Sequence, residues 1–361
     1  MTALGPVRAR VASRLTSAAA NRAASLADLW IVLILLALVI AFSVASPSGT
    51  FLSLANFRAI TIDTSEILLL AAGQTLVLIA AGIDLSIGSL VIFCAVVTAE
   101  LLGAFSGSAS QGYPNVLVGV AIAVPVSLVA GTAWGVLNGW VTVKMKVPPF
   151  IVTLGTLWVA LGFAQIISGG YNVASVPTQL QDIFVFGGLL GIVPWPVVVA
   201  IVGVGILWIL LARTRFGLRT YALGANMESL RRAGVNVDRH TILIYAIMGL
   251  LCGVVGVMDV ARFSTASLSA HQLDNLNAIA AVVIGGTSLF GGRGHMGGTV
   301  IGAFIPAVLR NGFIILAIQP FWQNVVVGVF LVLAVYIDQV RRGGLPAFWT
   351  VLTRREDEQR H

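Results

Sequence analysis

A chain of 361 residues that is 58% hydrophobic and only 10% charged, with a mean hydropathy of +0.98, has more apolar surface than one globular core can hide. That excludes an ordinary water-soluble domain and makes the bilayer the solvent. The net charge of +7 raises nucleic acid as a partner, but the basic residues sit in short connectors between apolar blocks, so no nucleic-acid role is expected.

Residues 1–28 carry Arg8, Arg10, Arg14 and Arg22 without a small-residue cleavage site close behind, which reads as a retained cytoplasmic tail. Apolar blocks long enough to approach a span then follow near 29–45, 65–81, 87–105, 115–140, 149–168, 192–212, 241–260, 276–290, 298–318 and 321–340. The expected fold is all-α: a polytopic membrane protein over residues 29–340 with about ten transmembrane helices, some broken or re-entrant. Trp30, Trp195 and Trp322 lie near block ends, where interface anchoring explains them better than sugar stacking does.

With residues 1–28 inside, Lys144, Lys146, Arg213, Arg215, Arg219, Arg231, Arg232, Arg239 and Arg293 all fall in cytoplasmic connectors. The tail over 341–361 adds Arg341, Arg342, Arg354, Arg355 and Arg360. Of the 21 Lys and Arg, only Arg58, Arg262 and Arg310 fall elsewhere. This is the asymmetry of the positive-inside rule, and it predicts an even helix count with both termini cytoplasmic. The outward connectors 104–115 and 169–191 are nearly uncharged; the second reads either as a docking segment for a soluble partner or as a solvated loop.

Two glycine-rich polar runs interrupt the apolar blocks, Ala81-Gly82-Ile83-Asp84-Leu85-Ser86-Ile87-Gly88-Ser89 and Gly285 to Gly294. Broken backbone at membrane depth needs protein or a wet cavity to satisfy its N–H and C=O groups, so both runs are expected in the interior. Their loose similarity, one per half, fits an internal duplication.

Asp84 has two open readings, a cap on the helix starting at Ile87 or a place on the substrate path with Ser86. Glu66, Glu100 and Asp259 lie near predicted helix ends, where reaching the interface suffices to explain them. Gln74, Asn138, Gln165 and Asn277 are neutral amides in or beside apolar blocks; they serve helix-to-helix bonds or a polyhydroxylated ligand. Cys94 and Cys252 fit as small core residues.

The cytoplasmic connector within 213–240 has its own design. Asn226 is a good N-cap, Glu228 falls in the first turn and Gly234 suits a left-handed C-cap, predicting a short helix over Met227 to Ala233. Met227 and Leu230 share a face as an apolar knob, with Arg231 and Arg232 beside it. Such a helix suits a partner's groove or, alternatively, an anionic lipid surface.

No Gly-Lys-Ser/Thr phosphate loop surrounds either lysine, so the chain is not expected to bind ATP. His240, His271, His295 and His361 are scattered without metal-like spacing, and no metal site is expected. No nucleophile and base pair marks an enzyme.

Four segments, Ala81 to Ser89, Pro148-Pro149-Phe150-Ile151-Val152-Thr153-Leu154-Gly155-Thr156, Thr214 to Arg219 leading to Gly224-Ala225-Asn226, and Ala278 to Gly292, occur in this order. From about residue 52 to 341 the chain resembles the membrane permeases of bacterial ABC importers for monosaccharides, the ribose, xylose, arabinose and galactoside type, more distantly the branched-chain amino-acid permeases. Ala81 stands where that family often has a second glycine, and Gly217-Leu218 where it often has Gly-Arg. The resemblance implies a bacterial inner-membrane permease working by alternating access, as a homodimer or with a paralogue. It also implies a separate ATPase subunit holding ATP and Mg, and an extracytoplasmic sugar-binding protein. Asn226, Met227, Glu228, Leu230, Arg231, Arg232 and Gly234 then match the family's coupling helix. Gln74, Asp84, Ser86, Asn138, Gln165 and Asn277 are the candidate substrate path, with no cofactor bound by this chain. The competing expectation is an ion-coupled secondary transporter using Asp84 and Glu66.

Overall fold

The computed structural model describes residues 29–319 and 321–341; the expected tails over 1–28 and 341–361, with His361, lie outside the described residues except for Arg341, which ends the last helix. Each apolar block of the sequence holds one helix. These are α1 (Leu29–Ala45), α2 (Leu54–Ile79), α3 (Ile87–Phe105), α4 (Val116–Lys144), α5 (Pro149–Ile167) and α6 (Trp195–Arg213). Two helices fill the polar connector, α7 (Arg215–Ala225) and α8 (Met227–Arg232), and α9 (Val237–Phe263), α10 (Asp274–Ile284), α11 (Met296–Ile315) and α12 (Phe321–Arg341) complete the chain. Among the described residues the connectors add short helical turns at Pro47–Leu52, Ala109–Gln111, Gln179–Gln181 and Asp182–Phe186, and the only β structure is two isolated bridges. Seven helices among the described residues, α2 to α6, α9 and α11, are long and apolar enough to cross a membrane. The chain is an all-α polytopic membrane protein.

Local chemistry sets the ends. Ser53 caps α2 by accepting from the Asn56 amide, and Pro148 and Pro149 open α5, where a missing N–H costs nothing. Asn236 accepts from the Arg239 amide at the start of α9, and Ser264 closes that helix in the left-handed region.

Helix α2 is the axis of the bundle, buried over nearly all its length from Ile60 to Ile79. The tightest seam joins α4 to α9. Ser127, Gly131, Gly135 and Gly139 recur every fourth residue along one face of α4. A Cβ on Gly135 would run into the Tyr245 carbonyl, and one on Gly249 would run into that of Gly131 and stand 2.8 Å from the Gly135 nitrogen. With apolar lipid on the outside, no hydrophobic force separates helix from lipid, and close backbone approach through small residues supplies the packing. By contrast α5 and α6 show Trp158, Ile166, Ile201 and Trp208 outward, the faces a bilayer covers.

At the end of the bundle away from α7 and α8 the connectors are stitched together. Val173 and Ala266 exchange backbone hydrogen bonds of 3.0 and 2.9 Å. Gln179 donates to the Gly112 carbonyl at 2.9 Å, and the Arg58 guanidinium donates to the carbonyls of Val185 and Phe186 at 3.1 and 3.2 Å. The 169–191 connector is thus folded onto its own chain.

Candidate functional site

The short helix α8 forms for the reasons its sequence states. Asn226 Oδ1 accepts from the Ser229 amide at 2.9 Å, Glu228 sits in the first turn, and Gly234 takes a φ of 80° just beyond the end. The helix stops at Arg232, with Ala233 as its cap and not its last turn. Glu228 holds Arg232 at 3.2 Å, while Asp238 at the start of α9 receives Lys144 at 3.1 Å and Arg231 at 4.0 Å. The expected apolar knob is corrected here. Leu230 is buried in the main core, so it anchors α8 to its own chain. Met227 alone, 52% exposed, is presented outward. Helical spacing puts two residues on one face but does not say which side that face meets.

Beneath α8 the two glycine-rich runs touch, although about 200 residues separate them. The Gly292 amide donates to the Ile79 carbonyl at 2.8 Å. Gly224 of α7 packs on that same carbonyl with the Gly292 nitrogen beside it, and Tyr221 of α7 donates to the Gly294 carbonyl at 2.7 Å. The end of α2, both broken runs and the helix that carries α8 therefore meet at one point. A cavity of about 690 Å³ opens beside it, lined by Gly82, Lys146, Asn226, Met227, Arg231 and Tyr245 among others.

Ala81 lies at the rim of this cavity with a φ of 60°, a conformation costing a residue with a Cβ about 1–2 kcal/mol. Ala81→Gly is expected to stabilise the protein by up to about 1 kcal/mol, after the extra chain entropy of glycine is set against that relief. The check is the unfolding temperature of the purified chain, which should rise; a fall would mean that the Ala81 methyl supplies needed packing.

The freed backbone of the first run is satisfied from both sides. Thr153 of α5 donates to the Ile83 carbonyl at 3.2 Å and Asn275 of α10 to the Leu85 carbonyl at 3.1 Å. Asp84 is fully buried, and its Oδ1 accepts from the Ser86 amide at 2.8 Å and the Ser86 hydroxyl at 2.6 Å. It thus shapes the turn before α3 and does not bond the amide of Ile87 as a cap would. Asn138 of α4 donates to the Ser86 hydroxyl at 2.9 Å, so Asp84, Ser86 and Asn138 form one chain of hydrogen bonds.

The other path candidates are dispersed. Gln74 is fully buried in α2, and neither atom of its amide has a partner among the described residues. Gln165 is exposed on α5, and Asn277 belongs to a separate polar cavity.

That second cavity, about 340 Å³, lies among α2, α9, α11 and the 270–277 stretch. Arg262 pairs with Asp63 and, at 3.4 Å, with Glu66. His271 places Nε2 2.9 Å from Asp259 and Nδ1 2.7 Å from Asp274. Burial pulls the His271 ring down, but the carboxylates of Asp259 and Asp274, to which its ring N–H groups point, outweigh it and hold the group well above the usual histidine range. Glu66 and Asp259 are buried, which corrects the expectation that they reach the membrane interface from helix ends. The reason is that α2 starts at Leu54 and α9 runs on to Phe263, so both acids fall within helices that pack against other protein. Glu66, Asp259 and His271 also bring one ligand atom each within 4.8 Å of one another, a convergence that the scattered histidines of the sequence concealed. Glu100 is half-buried on α3.

The family described as "Branched-chain amino acid transport system / permease component" matches residues 56–335, a stretch that contains both cavities and α8. The chain belongs to this permease family. The permease is 36% identical to the ribose import permease protein of Escherichia coli (strain K12) over 85% of its own length and 93% of that protein. It is 34% identical to the fructose import permease protein of Rhizobium meliloti over 85% and 84%, and 32% identical to the xylose transport system permease protein of Escherichia coli (strain K12) over 86% and 92%. No solved structure matches it. In the permease, the residues that sequence reasoning missed are the Arg262 and His271 pairings and the glycine contact at Ile79. The Arg262 pairing joins residues 196 positions apart, His271 meets Asp259 only because the connector after α9 turns back on that helix although Asp274 is close in sequence, and the glycine contact was signalled only by the density of glycine in the two runs.

Proposed function

We propose that this permease is the membrane-spanning subunit of an ATP-driven importer that moves a monosaccharide or related polyol into the cytoplasm of a bacterium. The observation that carries the reading is α8, a capped six-residue helix standing on the junction of α2, α7 and both glycine-rich runs. An ATPase groove that grips Met227, Glu228, Arg231 and Arg232 can displace α8, and Leu230 and Gly224 transmit the displacement to the end of α2. Cavities on either side of the bundle axis then open in turn, which is alternating access by rigid-body rocking. The stitched connectors at the opposite end suit a docking platform for an extracytoplasmic sugar-binding protein. The basic connectors support a cytoplasmic position for α7 and α8, in a bacterial inner membrane. ATP and Mg belong to the ATPase, and a second copy or a paralogue completes the pore. The names of the relatives support a sugar as cargo. The contacts of Asp84 with Ser86 and of Glu66 with Arg262 account for both acids without calling on an ion-coupled mechanism.

The test is vanadate-sensitive ATP hydrolysis that co-purifies with the tagged chain from native membranes. Paired Met227→Ala and Arg231→Ala substitutions are expected to lower ATP-driven uptake about tenfold or more, the effect of losing roughly 1.4 kcal/mol of docking energy. Both side chains are half exposed or more, so the unfolding temperature should hardly move. Unchanged uptake in the double variant would count against α8 as the coupling element.

A further inference from the structure

The polar cavity at the end opposite α8 is built of charges, yet its charges are largely spent on one another. Four carboxylates, Asp63, Glu66, Asp259 and Asp274, face Arg262, Arg310 and His271. Burial is graded. Asp259, His271 and Glu66 lie deepest, with side chains 4%, 8% and 9% exposed, whereas Asp274 and Asp63 are 22% and 32% exposed. Keeping so many ionisable groups among membrane helices is costly, and their usual reason is function. A bundle needing only stability would fill this space with apolar side chains, since a well-packed apolar replacement of a buried ion pair is often neutral or better.

We propose that this cavity is a transient binding site for a neutral polyhydroxylated solute, the monosaccharide itself, on its way from the outer face; this rests on the importer reading above. A sugar hydroxyl both donates and accepts, and the cavity offers carboxylate acceptors beside guanidinium and amide donors at every side. Because each carboxylate already sits against Arg262 or His271, the acids present their acceptors with little net field, which favours a neutral solute over a cation, which would have to break a pair, and over an anion, which four carboxylates repel. Asn277 and Gln323 stand among the lining residues as neutral amides, and Phe263 supplies an apolar face with the Arg262 guanidinium 4.6 Å from its ring centre. The volume of about 340 Å³ lies at the small end of the range of roughly 300–1,000 Å³ found for small-molecule sites, suited to one sugar ring. Weak binding is what a path requires, since the solute must leave again.

The experiment uses the complete importer, permease with its ATPase and binding protein, in proteoliposomes, and the purified permease alone for direct binding. Asn277→Leu keeps the branched shape but also removes the 3.4 Å hydrogen bond that Asn277 donates to Asp274. Gln323→Leu, one heavy atom shorter, takes away an amide with no part in the ion pairs, so agreement between the two variants separates solute contact from a disturbed Asp274. Each is expected to raise the apparent KM for uptake about tenfold, the loss of about one hydrogen bond to the solute. Saturation-transfer NMR on the permease alone should show contact with the transported sugar, diminished in both variants, and none with the corresponding sugar acid. Unfolding temperatures within the error of wild type exclude misfolding, and Asn277→Gln, which restores the amide, should recover part of the loss. Wild-type kinetics and wild-type NMR contact in both leucine variants would overturn the cavity assignment while leaving the importer standing. If wild type itself shows no ATP-dependent uptake of any monosaccharide offered, the importer reading falls, and the assignment with it.

Discussion

Gly224→Val is expected to abolish ATP-driven uptake and to lower the unfolding temperature of the permease, whereas Gly155→Ala should leave both unchanged. A Cβ at Gly224 would overlap the Ile79 carbonyl oxygen and stand 2.6 Å from the Gly292 nitrogen, and those two atoms are already joined by a 2.8 Å hydrogen bond. All the obstructing atoms are backbone, so no rotamer change relieves the clash. Overpacking of this kind costs about 1–3 kcal/mol, and parting the Ile79 and Gly292 groups adds the cost of two unsatisfied buried polar atoms. At Gly155 nothing lies within 4 Å of an added Cβ, which makes it the fitting control, on α5. The measurements are uptake in proteoliposomes and thermal unfolding in detergent. A Gly224→Val protein with normal uptake would show that α7 and α2 do not need to move as one body.

Arg262→Ala should be the most destabilising single change at the opposite end, by about 3–5 kcal/mol, the usual cost of leaving a buried charge without its partner. Arg262 is 17% exposed, and Glu66, which it pairs at 3.4 Å, is 9% exposed in its side chain. Without the guanidinium, Glu66 and Asp63 would repel across the space it leaves. A second change removing the stranded charge, Glu66→Gln, should return much of the lost stability, because the penalty belongs to the unpaired carboxylate more than to the missing bond. Thermal unfolding of the two single variants and the double variant forms a cycle that reads the coupling directly. Additive losses would show that the two side chains do not depend on each other.

How far the sequence reveals this architecture depends on how local the physics is. The helices were legible because crossing hydrocarbon demands length and apolarity, and α8 was legible because Asn226, Glu228 and Gly234 act within a few residues of one another. The start of α2 was not. Its first turns contain Arg58, Asp63 and Glu66, which read as a polar connector until Arg262, 196 residues beyond Glu66, is placed against the acids. Leu230 was misjudged for a related reason, since spacing fixes a face and only tertiary packing fixes what it faces. Gln165 and Asn277 resembled Asn138 as amides in apolar blocks, yet only Asn138 reaches Ser86. The α4 stripe of Ser127, Gly131, Gly135 and Gly139 stands in the sequence at a four-residue period, but only the α4 and α9 seam shows what it packs against.

That seam has a consequence for the lipid. Helix α4 has 29 residues and α9 has 27, so at 1.5 Å per residue they reach about 43 and 40 Å, well beyond a hydrocarbon core of about 30 Å. Two helices locked backbone to backbone cannot adjust their tilts separately, so the bilayer must tilt them as a unit. One end of α9 carries Asp238 beneath α8 and the other carries Asp259 and Arg262. Membrane thickness therefore acts on the α8 end and the Arg262 end of the bundle through one lever, and transport by this permease should be tuned by the acyl-chain length of the lipids around it.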